Sequence, residues 1–327
     1  MRELLVSKKQ IRFTLNAIVL IACIWLLFRK YNLEEVAIHT KSLNYFIFIV
    51  SVSISIVRIW LSGLRWETLY PDNDAHLSKW SYFRFSMLAH LFNRFMLGAL
   101  GGDIIKTAYA VKEQKKKRIK SVIAVLVDRI VGLISIFVFG ILALFMTRDI
   151  YGFDLSKLLF IFIAMVGFIV VLTNKSVLNF VERFLSRTRF LQSFMGKIIR
   201  NWKESLNYYG ANRKKVFYSF ILCIPIHLLS FVIFYIFSRS LGMDLTFFEI
   251  VFAIAIMWLI TALPISIGGI GVRELSLIWL LGMFNVSSEM AITLSVMGYI
   301  NGIIVSIIAL PLLFDFRKKT KSHISRM

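Results

Sequence analysis

Long apolar runs separated by short charged stretches make up most of the chain. A helix needs about 20 mainly apolar residues to cross the hydrocarbon core of a bilayer. On this basis, membrane helices are predicted over 13–28, 45–64, 119–147, 158–173, 216–241 and 287–314. Two further apolar stretches, 80–111 and 247–284, are interrupted by glycine, and the second also contains a proline. Glycine and proline weaken or break helices, so we expect each stretch to be a re-entrant hairpin. The pattern therefore predicts an all-α polytopic membrane protein with about six transmembrane helices and two hairpins.

The distribution of Lys and Arg predicts how these helices are oriented. Short loops rich in basic residues remain in the cytoplasm. Residues 1–12 carry four basic residues against one acidic residue, and residues 174–215 carry ten against two. With the basic tail 315–327, this places both termini in the cytoplasm. A single crossing by 80–111 would put the basic run at 112–120 outside, which favours the hairpin.

The two glycine breaks predict an internal repeat. They match without a gap at an offset of 167 residues, and the same offset aligns Lys106 with Arg273. The hairpin backbone residues at these breaks are Gly101, Gly102, Pro264, Gly268, Gly269 and Gly271. The charge-derived topology gives the repeats 13–147 and 158–314 opposite orientations within a single membrane domain, 1–327. Inverted repeats of this kind are typical of transporters, which bind substrate near the bilayer midplane between broken helices.

Composition and charge narrow the function further. Hydrophobic residues make up 58% of the chain, and the net charge is +21. The basic residues flank apolar spans, so they favour membrane orientation and contact with anionic lipids over nucleic-acid binding. Between 174 and 215, apolar residues recur at helical spacing with basic residues between them, which predicts a cytoplasmic amphipathic segment. Because no metal-ligand spacing or catalytic motif stands out, we predict no metal, no cofactor and no enzymatic activity.

Charged residues in or near the apolar stretches are the candidate site. Arg273 and Lys106 each follow a glycine pair near the start of a half-helix, where free N–H groups and the helix dipole would help them bind a phosphate. The alternative is that each reaches an interface or forms an internal ion pair. Arg129 is the third candidate phosphate ligand.

The acidic candidates are predicted as charge partners or proton carriers. Asp128 and Arg129 lie deep in the predicted helix 119–147 and point about 100° apart, so each needs another partner, for which the hairpins are the natural source. An ion pair is favoured for Asp128, with proton transfer as the alternative. Asp103 and Glu274 are expected to orient the basic residues or to cap the half-helices.

Several motifs carry a family resemblance. They are Gly63-Leu64-Arg65-Trp66, Asn93 with Gly101-Gly102-Asp103, Asp128-Arg129-Ile130-Val131-Gly132-Leu133, and the segment from Pro264 to Glu274. In this order they resemble the lysylphosphatidylglycerol synthase transmembrane-region family, the flippase-like integral membrane proteins. The family usually has proline at the position of Leu97 and arginine at that of Lys106. In bifunctional members this domain is similar to a flippase for aminoacylated phospholipid and precedes a soluble aminoacyl-transferase domain. Since no such domain follows here, we expect no synthase activity.

Together these features predict a flippase-like transporter in the cytoplasmic (inner) membrane. Its substrate would be an anionic lipid, either a modified phospholipid or a polyprenyl-phosphate-linked carrier. One alternative is a scaffold subunit of a cell-envelope lipid or glycan assembly system, with envelope-biosynthesis enzymes as partners. The other is a membrane-embedded transferase acting on lipid-linked groups.

Overall fold

Every regular element that the structure describes is an α-helix. The structure is a computed structural model and describes residues 44–70, 78–95, 101–113, 118–151, 163, 167, 174–185, 200, 202–262, 266 and 268–324. Its helices are α1 (Tyr45–Leu69), α2 (Lys79–Phe95), α3 (Gly101–Glu113), α4 (Arg118–Tyr151), α5 (Lys175–Leu185), α6 (Arg213–Ser240), α7 (Phe247–Thr261), α8 (Val272–Gly282) and α9 (Ser288–Ile324). A further helical stretch, 202–211, precedes α6. The predicted all-helical class is confirmed.

Four of these helices are long and apolar enough to cross a membrane. Within the described residues they are Tyr45–Leu69, Val122–Thr147, Arg213–Ser240 and Ser288–Leu312. The protein is therefore a multi-pass membrane protein. The predicted helix 13–28 and most of the predicted helix 158–173 lie outside the described residues, and so do residues 186–199 of the basic segment.

The central helix α7 is enclosed by its neighbours. Its side chains are apolar on all faces, which is typical of a helix buried in the interior, and Ile250, Ile254 and Met257 are completely buried. The helix begins at a capping box, in which Thr246 N–H donates to Glu249 Oε2 at 2.6 Å and Glu249 N–H donates to Thr246 Oγ1 at 3.3 Å. These bonds satisfy N–H groups that an α-helix leaves without internal partners. The apolar interior thus fixes α7 between α4, α6 and α8.

The same order of helices occurs twice along the chain. The starts of α6, α7, α8 and α9 follow those of α1, α2, α3 and α4 by 168, 168, 171 and 170 residues. The packing repeats as well: α7 packs on α4 as α2 packs on α9, and α1 contacts α9 as α6 contacts α4. At the contact between α1 and α9, Asn301 bonds to both Ser51 (3.1 Å) and Ser55 (2.9 Å). The two halves of the chain therefore repeat both in helix order and in packing.

The end of the basic segment packs against α1. Tyr209 donates a hydrogen bond to the carbonyl of Leu69 at 2.8 Å, and Lys215 Nζ donates to that of Tyr70 at 3.2 Å. The last carbonyls of a helix have no partner within it, so these bonds satisfy the end of α1. The end of the basic segment, at Tyr209 and Lys215, is therefore part of the folded protein.

Candidate functional site

Two adjoining cavities lie between the long helices and the two predicted hairpins, the first over 80–111 and the second over 247–284. Their volumes are about 340 Å³ and about 330 Å³. The residues that line both are Arg58, His90, Asn93, Ser230, Trp258 and Thr261. The second hairpin contributes Arg273 to the first cavity, and the first hairpin contributes Lys106 to the second. Residues that follow both glycine breaks therefore line the two adjoining cavities.

The second cavity contains a buried ion triad centred on Asp128 of α4. Its carboxylate accepts a hydrogen bond from Arg65 Nε at 2.8 Å and another from Lys106 Nζ at 3.1 Å. The side chains of Asp128, Arg65 and Lys106 are only 5%, 10% and 8% exposed. Arg65 also donates to the sulfur of Cys223 at 3.2 Å. The ion-pair alternative for Lys106 is the one the structure adopts, and Asp128 receives the hairpin partner that was expected for it.

Arg129 forms a second ion pair and also contacts the other half of the chain. Arg129, the neighbour of the triad carboxylate, bonds to Asp103 in the first turn of α3. Its other nitrogen, Nη2, donates to the carbonyl of Ala262 at 3.3 Å, where α7 ends. Arg129 thus joins α3 to the end of α7, instead of presenting a free cation to the cavity.

The second hairpin has its own charge cluster. Arg273 Nη2 lies 2.9 Å from Glu274 Oε1, and Arg273 Nε donates to Ser295 Oγ at 2.7 Å. Ser295 also donates to Glu274 at 2.5 Å. The other oxygen of Glu274 accepts from Gly271 N–H at 2.6 Å, which caps the start of α8. Glu274 therefore has both roles predicted for it, as a helix cap and as the partner of Arg273.

The glycines allow close approach of backbone to backbone. Gly268 has a φ of 61°, and a Cβ there would lie 2.7 Å from the carbonyl oxygen of Arg94. A Cβ on Gly102 would lie 2.8 Å from the carbonyl oxygen of Ala89, and its N–H donates to Asn93 Oδ1 at 2.5 Å. Positive φ and contacts this short exclude a side chain. Gly101, Gly269 and Gly271 lie at the same two breaks, whereas Pro264 lies outside the described residues.

Two arginines of the cavity walls have no carboxylate partner among the described residues, and one cavity histidine has an unpaired ring nitrogen. Arg58 lines both cavities and Arg94 lines the first, yet neither contacts a carboxylate in the part of the chain that the structure describes. Arg94 instead lies over the ring of Tyr299, 5.3 Å from its centroid, and Arg273 lies over the same ring at 5.0 Å. Within the described residues, His90 Nε2 is buried with no hydrogen-bond partner. Neither Arg58 nor Arg94 was among the phosphate ligands predicted from the sequence.

Comparison with known proteins settles the family. The family model described as the lysylphosphatidylglycerol synthase TM region matches residues 13–309. The chain belongs to this family. Neither the curated proteins nor the solved structures give a match. Membership of the lysylphosphatidylglycerol synthase TM region family supports a membrane function related to lipids.

In this family member, two of the recognised motifs, Gly63–Trp66 and Asp128–Leu133, meet at the triad. Trp66 is completely buried, and the ammonium of Lys106 lies 5.4 Å from its ring centroid. A Cβ on Gly132 would lie 3.2 Å from Arg65 Nη1, so glycine leaves the space that this guanidinium occupies. Arg65 was not predicted as a site residue. Its place in the Gly63–Trp66 motif was the feature of the sequence that could have indicated it.

The charges around the two cavities do not balance. Among the described residues, the cations in or beside the cavities are Arg58, Arg65, Arg94, Lys106, Arg129 and Arg273. The carboxylates in contact with these cations are Asp103, Asp128 and Glu274. Three positive charges are therefore in excess, which favours an anionic ligand.

Proposed function

We propose that this protein moves an anionic lipid between the leaflets of the cytoplasmic membrane, without covalent chemistry. The excess of three positive charges around the cavities supports this proposal most directly. An unpaired Arg at membrane depth costs roughly 2.5–3.5 kcal/mol on insertion scales. An anionic head group would offset that cost in the cavity while its tails remained in the bilayer.

The repeated helix order supports an inverted-repeat mechanism. Lys106 contacts Asp128 in the first half, and Arg273 contacts Ser295 in the second. Both pairs are 22 residues apart, and the same 167-residue offset relates them. The predicted topology gives each repeat an odd number of crossings, so the repeats would have opposite orientations and both termini would be cytoplasmic. Each hairpin would then open the cavities to one face of the membrane in turn.

The contact between Arg129 and Ala262 is the natural point of movement in such a cycle. It connects α4 of the first half to the end of α7 in the second, and both partners line the second cavity. A single hydrogen bond between a guanidinium and a carbonyl can break and re-form without loss of the buried triad. The triad would hold the first hairpin in shape while this contact opens, and the Arg273–Glu274–Ser295 cluster would hold the second.

A leaflet-exchange assay tests the proposal. The purified protein is reconstituted into vesicles with a fluorescent phosphatidylglycerol or a fluorescent polyprenyl phosphate, and the accessible label is quenched by dithionite. Wild type should expose the inner-leaflet label to quenching, and Arg94→Gln should slow this by roughly tenfold, equivalent to about 1.4 kcal/mol. Lys214→Gln, at an exposed position at the start of α6, is the matched control.

Two results would contradict this function. If wild type moved neither lipid faster than empty vesicles, the scaffold alternative would take its place. If Arg94→Gln and Lys214→Gln behaved alike, the cavity would not be the lipid pathway.

A further inference from the structure

The three carboxylates of the site are already occupied. Asp128 binds two cations, Asp103 is paired with Arg129, and Glu274 is bonded by Arg273 and Ser295. A lipid head that carries ammonium groups needs a carboxylate or another acceptor of comparable strength. To offer one, this site would have to break a buried ion pair, which leaves a buried charge without its partner and is strongly unfavourable.

The first cavity offers the opposite chemistry. Arg58 from α1 and Arg94 from α2 line it without a carboxylate partner in the described ranges, and the unpaired His90 Nε2 also belongs to its wall. The Asn93 and Asn301 amides line the same cavity. Guanidinium groups bind phosphate oxygens through two parallel hydrogen bonds.

The packing of Arg94 places its head group in this cavity. Its guanidinium occupies the space beside Gly302, where any Cβ would overlap it, and it lies over Tyr299. Arg273 lies over the same ring, so two guanidinium groups of like charge are gathered at one tyrosine. The charge of Arg273 is compensated by Glu274, whereas Arg58 and Arg94 line the cavity without a carboxylate partner among the described residues. A multiply charged anion between these two like charges would relieve their repulsion in a site of low dielectric.

We propose that the head group bound here is a phosphate monoester or a diphosphate, held by Arg58 and Arg94, and not an aminoacylated phospholipid. This inference rests on the proposed function and defines its substrate class. A phosphate monoester carries about −1.5 to −2 at pH 7, and a diphosphate carries more. A phosphodiester head such as phosphatidylglycerol brings a single negative charge, and lysylation makes the head net positive. Only the phosphate monoester and the diphosphate carry a negative charge that approaches the three positive charges in excess.

Binding to the purified full-length chain in neutral detergent tests this directly. The probes are farnesyl diphosphate, farnesyl phosphate, inorganic diphosphate, dioleoyl phosphatidylglycerol and its lysyl derivative, and the readout is the dissociation constant. Farnesyl diphosphate should bind at least about tenfold more tightly than phosphatidylglycerol, a difference of about 1.4 kcal/mol. Lysyl phosphatidylglycerol should bind most weakly. Inorganic diphosphate binding as tightly as the farnesyl compound would identify the site as one for a free anion, which overturns the lipid part of the inference.

Variants then locate the site. Arg58→Gln and Arg94→Gln should each weaken farnesyl diphosphate binding by about tenfold or more, while Arg94→Lys, which keeps the charge but not the paired geometry, should have a smaller effect. Lys214→Gln should change nothing. If a variant is not recovered in folded form, the order of affinities in wild type still decides the substrate class. Tighter binding of lysyl phosphatidylglycerol than of farnesyl diphosphate would overturn the inference.

The two proposals fail in different ways. Exchange of phosphatidylglycerol in vesicles without preference for the phosphate monoester or diphosphate would leave the transport function intact and refute the substrate class. Selective binding of farnesyl diphosphate with no exchange of any lipid would support the substrate class and refute the transport function.

Discussion

Replacement of Asp128 by Asn removes the one carboxylate that compensates two buried cations. Arg65 and Lys106 lie 2.8 Å and 3.1 Å from its oxygens, with side chains only 10% and 8% exposed. Removing one partner of a buried ion pair costs about 3–5 kcal/mol, because the remaining charge stays buried. The asparagine oxygen still accepts one hydrogen bond, so we expect about 3 kcal/mol, near the lower end.

This loss should be visible as a lower midpoint of thermal unfolding. At about 2.1 cal/mol/K per residue, a chain of 327 residues has an unfolding entropy of about 0.7 kcal/mol/K, so a loss of about 3 kcal/mol in Asp128→Asn should lower the midpoint by roughly 4 °C. Tryptophan fluorescence in detergent is a suitable readout, because buried Trp66 lies against Lys106 of the triad. Wild type and variant must be heated at the same rate, since irreversible unfolding depends on scan rate.

Two comparisons make this result interpretable. Asp244→Asn makes the same chemical change in an exposed pair, where Arg239 lies 3.5 Å away, and should leave the midpoint nearly unchanged. Adding Lys106→Met to Asp128→Asn removes one uncompensated cation and should recover part of the loss. If Asp128→Asn were no less stable than Asp244→Asn, the triad would not stabilise the fold as argued here.

The remaining predictions concern the position of Arg94 and the two predicted hairpins. Gly302→Ala should displace the Arg94 guanidinium, which a Cβ would overlap, and weaken farnesyl diphosphate binding severalfold with little change in unfolding midpoint; unchanged binding would contradict the position assigned to Arg94. Gly268→Ala should destabilise the protein by about 1–3 kcal/mol, because φ is 61° and the Cβ would meet the Arg94 carbonyl; a normal unfolding midpoint would refute this. Single cysteines introduced as Gly98→Cys and Ile267→Cys in a cysteine-free background should react with impermeant maleimide from opposite sides of the membrane, and labelling of both from one side would refute the inverted repeat.

Local patterns in the sequence determined much of the architecture. Apolar run length and the basic flanks predicted the helices, and α1, α4, α6 and α9 begin within a few residues of the predicted spans. These features are local, since hydrocarbon thickness and breaks by glycine or proline act on consecutive residues. The same reasoning indicated that Asp128 needs a partner from a hairpin, and Lys106 provides it.

Tertiary structure alone decided which cations are neutralised. Lys106 and Arg273 were predicted to bind phosphate and are instead paired with carboxylates, while Arg58 and Arg94 face the cavity without one in the described residues. An ion pair depends on which helices pack together, and Arg65 meets Asp128 across 63 residues of chain. The sequence supplied the excess of positive charge at membrane depth. The packing of α1 and α4 against the predicted hairpins determined where that excess of positive charge lies.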